Sequence, residues 1–391
     1  MKIAVILSRV PFPLEKGDKL RAYHQIRVLS QRHDIYLFAL NDGELHPQAQ
    51  EELSAFCKEI HFYPLPWFGR IMHALGFFIK GKPLQCGYFF RPSVRKGIAD
   101  ACRRIGVDRV YCQLIRTAEY AKQLPYPKTL DYQDVFSKGI DRMIPKAPWW
   151  KRGILRAEYR RVSRYEHDVF PCFDHCTIIT QVDRSLIRHP RSREIVVVPN
   201  GVDTEYYSSV PKSKRFDLIF TGNMGYLPNI DAAEYIVKEL LPAIREKYPD
   251  IRIALCGANP SARVLSLENK QVTVTGWVDD MREYYAQSRI FIAPMRLGTG
   301  LQNKLLEAMS MRIPCITSPL AATPLEAEAN HHILVCNSTL GYVDAIDNLL
   351  KDKNYYDSIA ENGHQFVKNR YNWEQTTRIL EELITKTRHK P

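Results

Sequence analysis

The feature that most constrains the fold is an alternation of short apolar runs with helix-forming segments, which occurs twice along the chain. The first series begins with the apolar run 3–8, a helical pattern over 18–31 and a second apolar run at 35–40. The second series begins at 216–221 and continues with a helical pattern over 229–241. Apolar runs of this length are typical of strands buried on both faces of a parallel sheet. The alternation therefore predicts an α/β protein with two doubly wound, Rossmann-like domains.

Length and turn signals indicate where the two domains divide. The chain has 391 residues, which is more than one typical domain. Pro199-Asn200-Gly201 is typical of a turn, and the polar stretch 208–215 is typical of a linker. We therefore predict three parts: an N-terminal domain over 1–200, a C-terminal domain over 201–370, and a last helical segment over 371–391.

The formal net charge of +12 raises the question of nucleic-acid binding. Lysine and arginine are spread over the whole chain, and no aromatic-interleaved basic motif of a DNA or RNA module is present. We therefore expect no nucleic-acid partner. A basic face turned toward phosphates or toward an anionic membrane surface explains the charge better.

The cysteines and the lengths of the apolar runs bear on metal binding and location. None of the nine cysteines forms Cys-x-x-Cys, and the one local cluster, Cys172-x-x-His175-Cys176, has no second cluster to complete a zinc site. Scattered cysteines indicate a reducing cytoplasm. The apolar run 3–7 is too short for a signal peptide, and no run approaches the roughly 20 residues that span a bilayer. We therefore expect a cytoplasmic protein without a metal site.

The segment 64–90 is rich in aromatic residues with basic residues between them. Its aromatic residues are Trp67, Phe68, Phe77, Phe78, Tyr88, Phe89 and Phe90. A second cluster follows at Trp149-Trp150-Lys151-Arg152. Apolar residues flanked by basic ones are typical of an interfacial membrane element, whereas aromatics at helical spacing are also typical of a core. Peripheral contact at the inner face of a membrane is one interpretation, and burial of the aromatics is the other.

The stretch 294–309, PMRLGTGLQNKLLEAM, predicts a ligand site. An apolar run at 290–293 precedes it, two glycines follow at Gly298 and Gly300, and the helical spacing of the apolar residues begins at Leu301. A strand, a glycine turn and a helix N-terminus direct backbone N–H groups at an anion. Lys304 and Glu307 follow within two turns and add a cation and a carboxylate.

The first βαβ unit supplies further candidates, because ligands of doubly wound sheets lie at the carboxyl ends of the strands. Gly17 stands in the loop after the first strand, and Arg21 follows one helical turn later. Asp131 and Asp134 come at the end of a short strand. Gly17 can also simply close a loop, and acids at strand ends are also common as loop caps, so both interpretations stay open.

Four motifs resemble those of the GT-B glycosyltransferases, particularly family 4 and the sugar transferases of bacterial exopolysaccharide clusters. They are VPNGVD at 198–203, FTGNM at 220–224, GWVDD at 276–280, and the stretch from Gly298 to Met309. The resemblance implies two Rossmann-like domains facing a cleft. It also implies that the terminal Tyr-Asn-Trp-Glu and its helix return toward the N-terminal domain. The motifs cover the second half of the chain better than 45–170.

The resemblance implies a nucleotide diphosphate-sugar donor held by the C-terminal domain, with no metal or other cofactor. Glu307 would accept from the ribose hydroxyls, Lys304 would offset the pyrophosphate charge, and the N–H groups near Gly300 would hold phosphate or sugar oxygens. The residues expected to bind the donor are Gly222, Asn223, Gly257, Gly276, Trp277, Val278, Arg296, Gly298, Thr299, Gly300, Leu301, Gln302, Asn303, Lys304 and Glu307. The residues expected to act in catalysis are Gly17, Arg116, Lys304 and Glu307.

The chain departs from the family pattern at three places, and these keep two functions open. Thr299 stands where the first of two acids is usual, the loop 222–229 lacks the usual Arg and Lys, and Arg116 is the nearest candidate where a His is common. Arg296 and Lys304 are the nearest replacements for the missing charge. One function is transfer of a sugar, with retention, to a glycan or lipid-linked acceptor in exopolysaccharide biosynthesis. The other is an inactive GT-B protein that serves as a binding or assembly component of a polysaccharide system.

Overall fold

A computed structural model describes residues 1–145, 147–208, 212–298 and 300–386. The chain forms two compact units. The N-terminal unit comprises Met1–Pro199 together with the segment from Trp373 onward, and the C-terminal unit comprises Asn200–Asn372. Residues 209–211, within the stretch expected to act as a linker, and 387–391, within the last expected segment, lie outside the described residues.

The N-terminal unit is built on a parallel sheet that has seven strands in the described part of the chain. The strands are β1 (Lys2–Leu7), β2 (Asp34–Asn41), β3 (Glu59–Pro64), β4 (Arg109–Gln113), β5 (Lys128–Asp131), β6 (His175–Ile178) and β7 (Val196–Val197). They lie in the order β3-β2-β1-β4-β5-β6-β7, so the direction of winding reverses between β1 and β4. Crevices that bind ligands form at this kind of reversal, at the carboxyl ends of the strands.

Helices cover both faces of this sheet. They are α1 (Gly17–Leu29), α2 (Ala49–Ser54), α3 (Trp67–Ile79), α4 (Leu84–Phe89), α5 (Pro92–Ile105), α6 (Ala118–Ala121), α7 (Phe136–Met143), α8 (Trp149–Val169) and α9 (Gln181–Leu186), with 3₁₀ turns at Ile115–Thr117, Phe170–Cys172 and Ser192–Glu194. Alternate side chains of one strand enter opposite cores: Ala4 and Ile6 pack on one face, and Ile3 and Val5 on the other.

The C-terminal unit repeats the same plan with six parallel strands among its described residues. They are β8 (Phe216–Thr221), β9 (Ile253–Cys256), β10 (Val272–Val274), β11 (Ser288–Ala293), β12 (Cys315–Thr317) and β13 (Leu334–Val335), in the order β10-β9-β8-β11-β12-β13. The helices are α10 (Leu227–Tyr235), which continues through a π turn (Ile236–Leu240) into α11 (Leu241–Arg245), then α12 (Ala262–Leu265), α13 (Met281–Ala286), α14 (Asn303–Ser310), α15 (Pro319–Leu325), α16 (Thr339–Lys351) and α17 (Lys353–Arg370). The winding reverses between β8 and β11.

The last helix, α18 (Trp373–Thr385), belongs to the N-terminal unit, although it follows the C-terminal unit in the chain. Its Leu380 and Ile384 are buried in the same core as Ile3 and Val5. The Trp373 ring stacks on His24 with centroids 4.9 Å apart. One face of the first sheet therefore includes side chains from the far end of the chain.

The predicted fold, two doubly wound parallel sheets, is confirmed, while single elements differ in length. The helical pattern over 18–31 is the slightly shorter α1, and the pattern over 229–241 is divided among α10, the π turn and the start of α11. The segment 64–90 forms α3 and α4, and its aromatics divide: Phe77, Phe89 and Phe90 are buried, whereas Trp67 and Phe68 are exposed. Burial of the whole aromatic segment is therefore wrong.

Candidate functional site

Three glycines follow the ends of neighbouring strands in the C-terminal unit. Gly222 has φ +150°, Gly257 has φ +142° and Gly276 has φ +68°. A Cβ on Gly257 would lie 1.8 Å from the carbonyl oxygen of Gly222. A Cβ on Gly222 would lie 2.7 Å from Asn229 Nδ2 and 2.8 Å from Lys304 Nζ. The carboxyl edge of β8 and β9 therefore requires glycine, because other side chains at these positions would collide with backbone or polar groups.

Lys304 lies in the first turn of α14 and extends toward this edge. Its Nζ donates to Asn229 Oδ1 at 2.7 Å and lies 4.4 Å from the ring centroid of Phe220. Asn229 in turn donates through Nδ2 to the carbonyl oxygen of Asn223 at 2.9 Å. Burial lowers the pKa of Lys304 to about 7, and Glu307 opposes this shift. The amine is thus positioned by an amide oxygen, and its charge is destabilised by burial.

Glu307 lies one helical turn beyond Lys304. Its Oε2 accepts from the hydroxyl of Tyr285 at 2.9 Å, and the same hydroxyl lies 2.9 Å from Thr221 Oγ1. Because the single proton of Tyr285 is donated to Glu307, Thr221 donates to Tyr285. Burial raises the pKa of Glu307, while the hydrogen bond from Tyr285 and the charge of Lys304 lower it. A chain of three side chains from β8, α13 and α14 therefore fixes the carboxylate.

Tyr285, Thr221 and Asn229 were not among the residues predicted from the sequence. Tyr285 stands in α13, where its aromatic ring fits the apolar pattern and predicts a core residue. Asn229 stands in the first turn of α10, at the end of the stretch 222–229 that was noted only because it lacks Arg and Lys. Polar residues next to strand-end glycines are the signal that could have found Asn229 and Thr221, whereas no local pattern distinguishes Tyr285.

The two glycines of the stretch 294–309 both adopt a left-handed backbone. Gly298 has φ +95° and Gly300 has φ +84°. A Cβ on Gly298 would lie 3.5 Å from Pro228, so the turn passes close to the start of α10. Thr299, expected to bind the donor, lies outside the described residues. The glycine turn leads directly into α14, as the strand–turn–helix interpretation predicts.

The remaining candidates of this stretch surround the start of α14. Leu301, Gln302 and Asn303 are half-buried, and Gln302 Nε2 donates to the carbonyl oxygen of Gly300 at 3.4 Å. Asn303 Oδ1 accepts from Asn200 Nδ2 at 3.1 Å. This contact joins the start of α14 to the VPNGVD motif, because Asn200 belongs to that motif.

Arg296 is engaged by two acids. Its guanidinium pairs with Asp231 at 3.1 Å and with Glu239 at 3.0 Å, and it stacks 4.5 Å from the ring centroid of Tyr235. Two carboxylates therefore neutralise the charge that was expected to replace the missing Arg and Lys. Of the two candidates, Lys304 is the one that reaches the glycine edge.

The candidates after β8 and β10 are more open to solvent. Asn223 is exposed, and its Oδ1 accepts from the backbone N–H of Gly225 at 3.0 Å. Trp277 is 65% exposed, and the neighbouring Val278 is half-buried. A large exposed aromatic ring directly after Gly276 leaves an apolar surface at the edge of β10.

The other two catalytic candidates lie in the N-terminal unit. Gly17 is the first residue of α1, and a Cβ there would meet no atom within 4 Å. Arg116 lies in the 3₁₀ turn after β4, between the rings of Phe89 and Phe136. The two acids at the end of β5 differ: Asp131 is fully buried and pairs with Arg21 at 2.6 Å, whereas Asp134 is exposed.

Two properties of the described residues bear on location and metal binding. Every helix among them is too short or too polar to cross a membrane. They also contain no group of three or more His, Cys, Asp or Glu side chains placed to hold a metal ion.

Residues 215–352 match the family model described as "Glycosyl transferases group 1". The chain carries a group 1 glycosyltransferase domain. The match begins just before β8 and ends after α16, so Lys304, Glu307 and the three strand-end glycines all lie in the group 1 domain.

Two relatives are similar to this chain in sequence. An "Uncharacterized 44.6 kDa protein in cps region" of Klebsiella pneumoniae is 20% identical over 398 residues, covering 95% of this chain and 96% of that protein. In Homo sapiens, one of the subunits of phosphatidylinositol N-acetylglucosaminyltransferase is 22% identical over 220 residues, covering 53% of this chain and 44% of that protein.

Solved structures show the fold beyond the group 1 domain. WaaG, a glycosyltransferase involved in lipopolysaccharide biosynthesis, superposes with a TM-score of 0.68 at 14% identity and covers 98% of this chain and 100% of its own. Anabaena HepE in complex with UDP and glucose gives a TM-score of 0.68 at 13% identity, with 98% of both chains covered. These likenesses confirm the predicted GT-B fold.

Proposed function

We propose that this protein transfers a sugar, with retention, from a nucleotide diphosphate-sugar to a glycan or lipid-linked acceptor in exopolysaccharide biosynthesis. The observation that carries the proposal is the placement of Lys304 and Glu307 on one helix beside the glycine edge of β8 and β9. The HepE structures contain UDP and UDP-glucose, and the Klebsiella relative is encoded in a cps region. The HepE ligands support a nucleotide-sugar donor, and the cps region supports a role in polysaccharide biosynthesis.

Each group at the glycine edge has a role in this reaction. Glu307, held by Tyr285, accepts from the two ribose hydroxyls, because its two oxygens suit a vicinal diol. The glycines leave room for the diphosphate, and Lys304 offsets the charge that grows on it as the bond to the sugar breaks. An anion beside Lys304 restores the protonated amine that burial disfavours.

The transfer needs no protein nucleophile and, in this proposal, no metal. The acceptor hydroxyl oxygen forms a bond to the anomeric carbon on the face from which the diphosphate departs. The carbon–oxygen bond to the diphosphate breaks, and a departing phosphate oxygen takes the acceptor proton. The products are the glycoside with its configuration retained and the nucleoside diphosphate.

A donor panel tests the proposal. The full chain is incubated with UDP-, GDP- and other nucleotide-sugars, and release of the nucleoside diphosphate is measured alongside binding. We expect one donor to bind and turn over, and Glu307→Gln to lose about ten- to a hundredfold in kcat/KM, since hydrogen bonds to a charged group contribute about 1.5–3 kcal/mol. Glu361→Gln is the matched control, since Glu361 is an exposed acid paired with Arg312 in the same unit.

The outcomes separate the enzyme from an inactive assembly component. If no donor in the panel binds or turns over, the proposal is overturned. Unchanged polysaccharide output in cells that carry Glu307→Gln would favour the inactive GT-B protein.

We also propose that the protein contacts an anionic membrane surface through α3, consistent with a lipid-linked acceptor at the inner face of the membrane. One face of this helix carries large exposed side chains: Trp67, Phe68, Ile71, Met72, Leu75, Phe78 and Ile79. The start of α8 exposes Trp149, Trp150 and Ile154. Arg161 of α8 lies 3.8 Å from the ring centroid of Phe78, so a basic side chain of α8 contacts an aromatic ring of α3.

Sedimentation with liposomes tests the membrane contact. We expect binding to vesicles that contain phosphatidylglycerol and little binding to phosphatidylcholine alone, with loss of binding in Trp67→Ser/Phe68→Ser. Leu340→Ser, which changes an equally exposed apolar residue of the C-terminal unit, is the control. Wild-type protein that stays in the supernatant at low salt would overturn the contact.

A further inference from the structure

Arg116 carries a desolvated charge without a carboxylate in contact. Its guanidinium lies between two aromatic rings, 5.0 Å from the centroid of Phe89 and 4.8 Å from that of Phe136. Its Nε donates to Gln85 Oε1 at 3.2 Å, while its Nη1 is buried without a hydrogen-bond partner. Among the residues that the structure describes, no acid forms an ion pair with it. A half-buried cation that no acid contacts favours an anion that is supplied from outside the chain.

The nearest acids are engaged by another arginine. Arg9, which follows β1, donates through Nη1 to Asp18 at 2.7 Å, and its Nε lies 3.9 Å from Asp42. Arg9 also lies 5.8 Å from the centroid of Phe89, so the ends of β1 and β4 each bring an arginine to the same ring. Burial and the charge of Arg9 both lower the pKa of Arg116, while Asp18 and Asp42 raise it from a greater distance.

The backbone at this place is strained. Leu114, between β4 and the turn that carries Arg116, has φ +66°, and Gln133, at the end of β5, has φ +60°. Thr117 Oγ1 lies 2.8 Å from the carbonyl oxygen of Gln113 and 3.0 Å from that of Leu114, which holds the turn. Non-glycine residues in this conformation cluster at functional sites, because the surrounding structure must stabilise them.

The position in the sheet agrees with a ligand site. Arg9 and Arg116 follow β1 and β4, the two strands between which the winding reverses. Ligands of doubly wound sheets bind at the carboxyl ends of the strands at such a reversal. The groups proposed for the donor lie in the other unit, so this site remains for the second substrate.

We infer that Arg116 binds a phosphate group of the acceptor, with Arg9 lining the same site. This rests on the proposed sugar transfer and specifies its acceptor class. A planar guanidinium suits phosphate because it offers parallel N–H donors, and no acid among the described residues forms an ion pair with that of Arg116. A lipid-linked diphosphate and a phosphorylated glycan both present this group.

Calorimetric titration of the full chain with inorganic pyrophosphate at about 150 mM salt, close to physiological ionic strength, tests the site. The titrations use the Lys304→Met background, which weakens competing binding at the donor edge. We expect Arg116→Gln to weaken pyrophosphate binding at least about tenfold and Arg116→Lys to weaken it less, because lysine keeps the charge and loses the fork. Arg103→Gln is the matched control, since Arg103 is exposed and pairs with Asp100.

A thermal melt of each variant separates binding from a structural role. We expect Arg116→Gln to keep or raise the Tm, because it removes a half-buried charge that no acid contacts. Equal pyrophosphate affinity in the parent, Arg116→Gln and Arg103→Gln would overturn the inference. A lowered Tm with unchanged affinity would assign Arg116 to a structural role and would also overturn it.

Two further titrations identify the source of the phosphate. A short-chain prenyl diphosphate in detergent represents a lipid-linked acceptor, and a hexose 6-phosphate represents a phosphorylated glycan. Binding of either one that depends on Arg116 supports the site, and binding of neither overturns it. Nucleotide-sugar titration of the wild-type protein keeps the two proposals distinct: failure to bind any donor would contradict the sugar transfer, while an Arg116-dependent pyrophosphate site would stand.

Discussion

The two sheets share one topology but differ at the edges where their winding reverses. In the C-terminal unit, Gly222 and Gly257 remove side chains from the edge, and the approach of their backbones leaves no space for a Cβ. In the N-terminal unit, the corresponding edge is filled by Arg9, Arg116 and the ring of Phe89 between them. The first edge exposes backbone, and the second exposes charged side chains. The same framework can thus recognise one ligand through peptide groups and another through guanidinium groups.

The largest loss of stability is expected at Gly257, where the backbone at the end of β9 lies close to that at the end of β8. Gly257→Ala places a Cβ 1.8 Å from the oxygen of Gly222, so the ends of β8 and β9 must separate. We expect a loss of more than about 4 kcal/mol in the free energy of unfolding, in the range of the most damaging core substitutions. Urea denaturation followed by circular dichroism measures it.

The control for this change is Gly276→Ala, which has a left-handed backbone but no atom within 4 Å of the new Cβ. It should cost only about 1–2 kcal/mol. Gly17→Ala in the N-terminal unit, which meets no atom either, should change stability by less than about 0.5 kcal/mol. Equal losses of stability in Gly257→Ala and Gly276→Ala would contradict the close contact between Gly257 and Gly222.

Removal of the hydroxyl that holds the carboxylate should have the next largest effect. Tyr285→Phe removes the donor to Glu307 and also leaves Thr221 without its acceptor. We expect about a tenfold loss of affinity for the nucleotide-sugar and a loss of about 1–2 kcal/mol in stability, since buried polar groups lose a partner. Donor titration and denaturation measure the two. Tyr206→Phe, at an exposed tyrosine of the same unit, is the control.

Donor binding should depend on pH through Lys304. Its pKa of about 7 in the folded protein lies below the ordinary value, so the amine loses its charge above pH 7. Anion binding favours the charged form, and the dissociation constant should rise up to about tenfold per pH unit above about pH 7. A nucleotide diphosphate-sugar is the right probe, because its phosphates do not titrate in this range. Glu307 faces the same amine, and burial raises the pKa of its carboxyl, so the pH profile of Glu307→Gln is compared with that of the wild-type protein.

The lowered pKa of Lys304 also determines how the stability of the protein changes with pH. Because the folded pKa of Lys304 lies below the unfolded one, the free energy of unfolding should rise with pH between about 7 and 10.5. Lys304→Met should remove this rise together with the pH dependence of donor affinity. A flat affinity in the wild-type protein across the same range of pH would contradict the role of Lys304.

The smallest effect is expected at Arg296. Arg296→Gln breaks exposed ion pairs with Asp231 and Glu239, and such pairs contribute about 0–1 kcal/mol. We expect no change in donor affinity, because two carboxylates already engage the guanidinium. A large loss of donor affinity would restore Arg296 to the donor site.

Patterns local in sequence predicted the sheets and supplied Lys304 and Glu307 for the proposed donor site. Apolar runs predicted the strands, and the glycine turn with Lys304 and Glu307 predicted the start of α14. The partners of those two residues were not predictable, because Asn229 and Tyr285 come from other helices and reach them only after the strands take their order. The ion pairs of Arg296 likewise depend on the distance between β11 and α10, which no sequence period encodes.

The N-terminal edge was harder to predict for the same reason. Arg116 was selected only as the nearest candidate to the place where the resembling family commonly has a His, and its aromatic neighbours lie on α4 and α7. Arg9 was not predicted as a site residue, since arginines are common in loops. Glycine requirements leave a signature in a sequence, while a charge placed between two rings leaves none.

The docking of α18 has a consequence for how the protein is made. Leu380 and Ile384 help to bury the sheet that contains β1, and Arg109 of β4 donates to the carbonyl oxygen of Ile384 at 3.0 Å. The first strands to leave the ribosome therefore lack part of their cover until the last helix is synthesised. The C-terminal unit is continuous and is complete before that moment. A fragment that stops at Pro199 should accordingly expose an apolar face and require a chaperone, whereas the segment 200–372 should fold on its own.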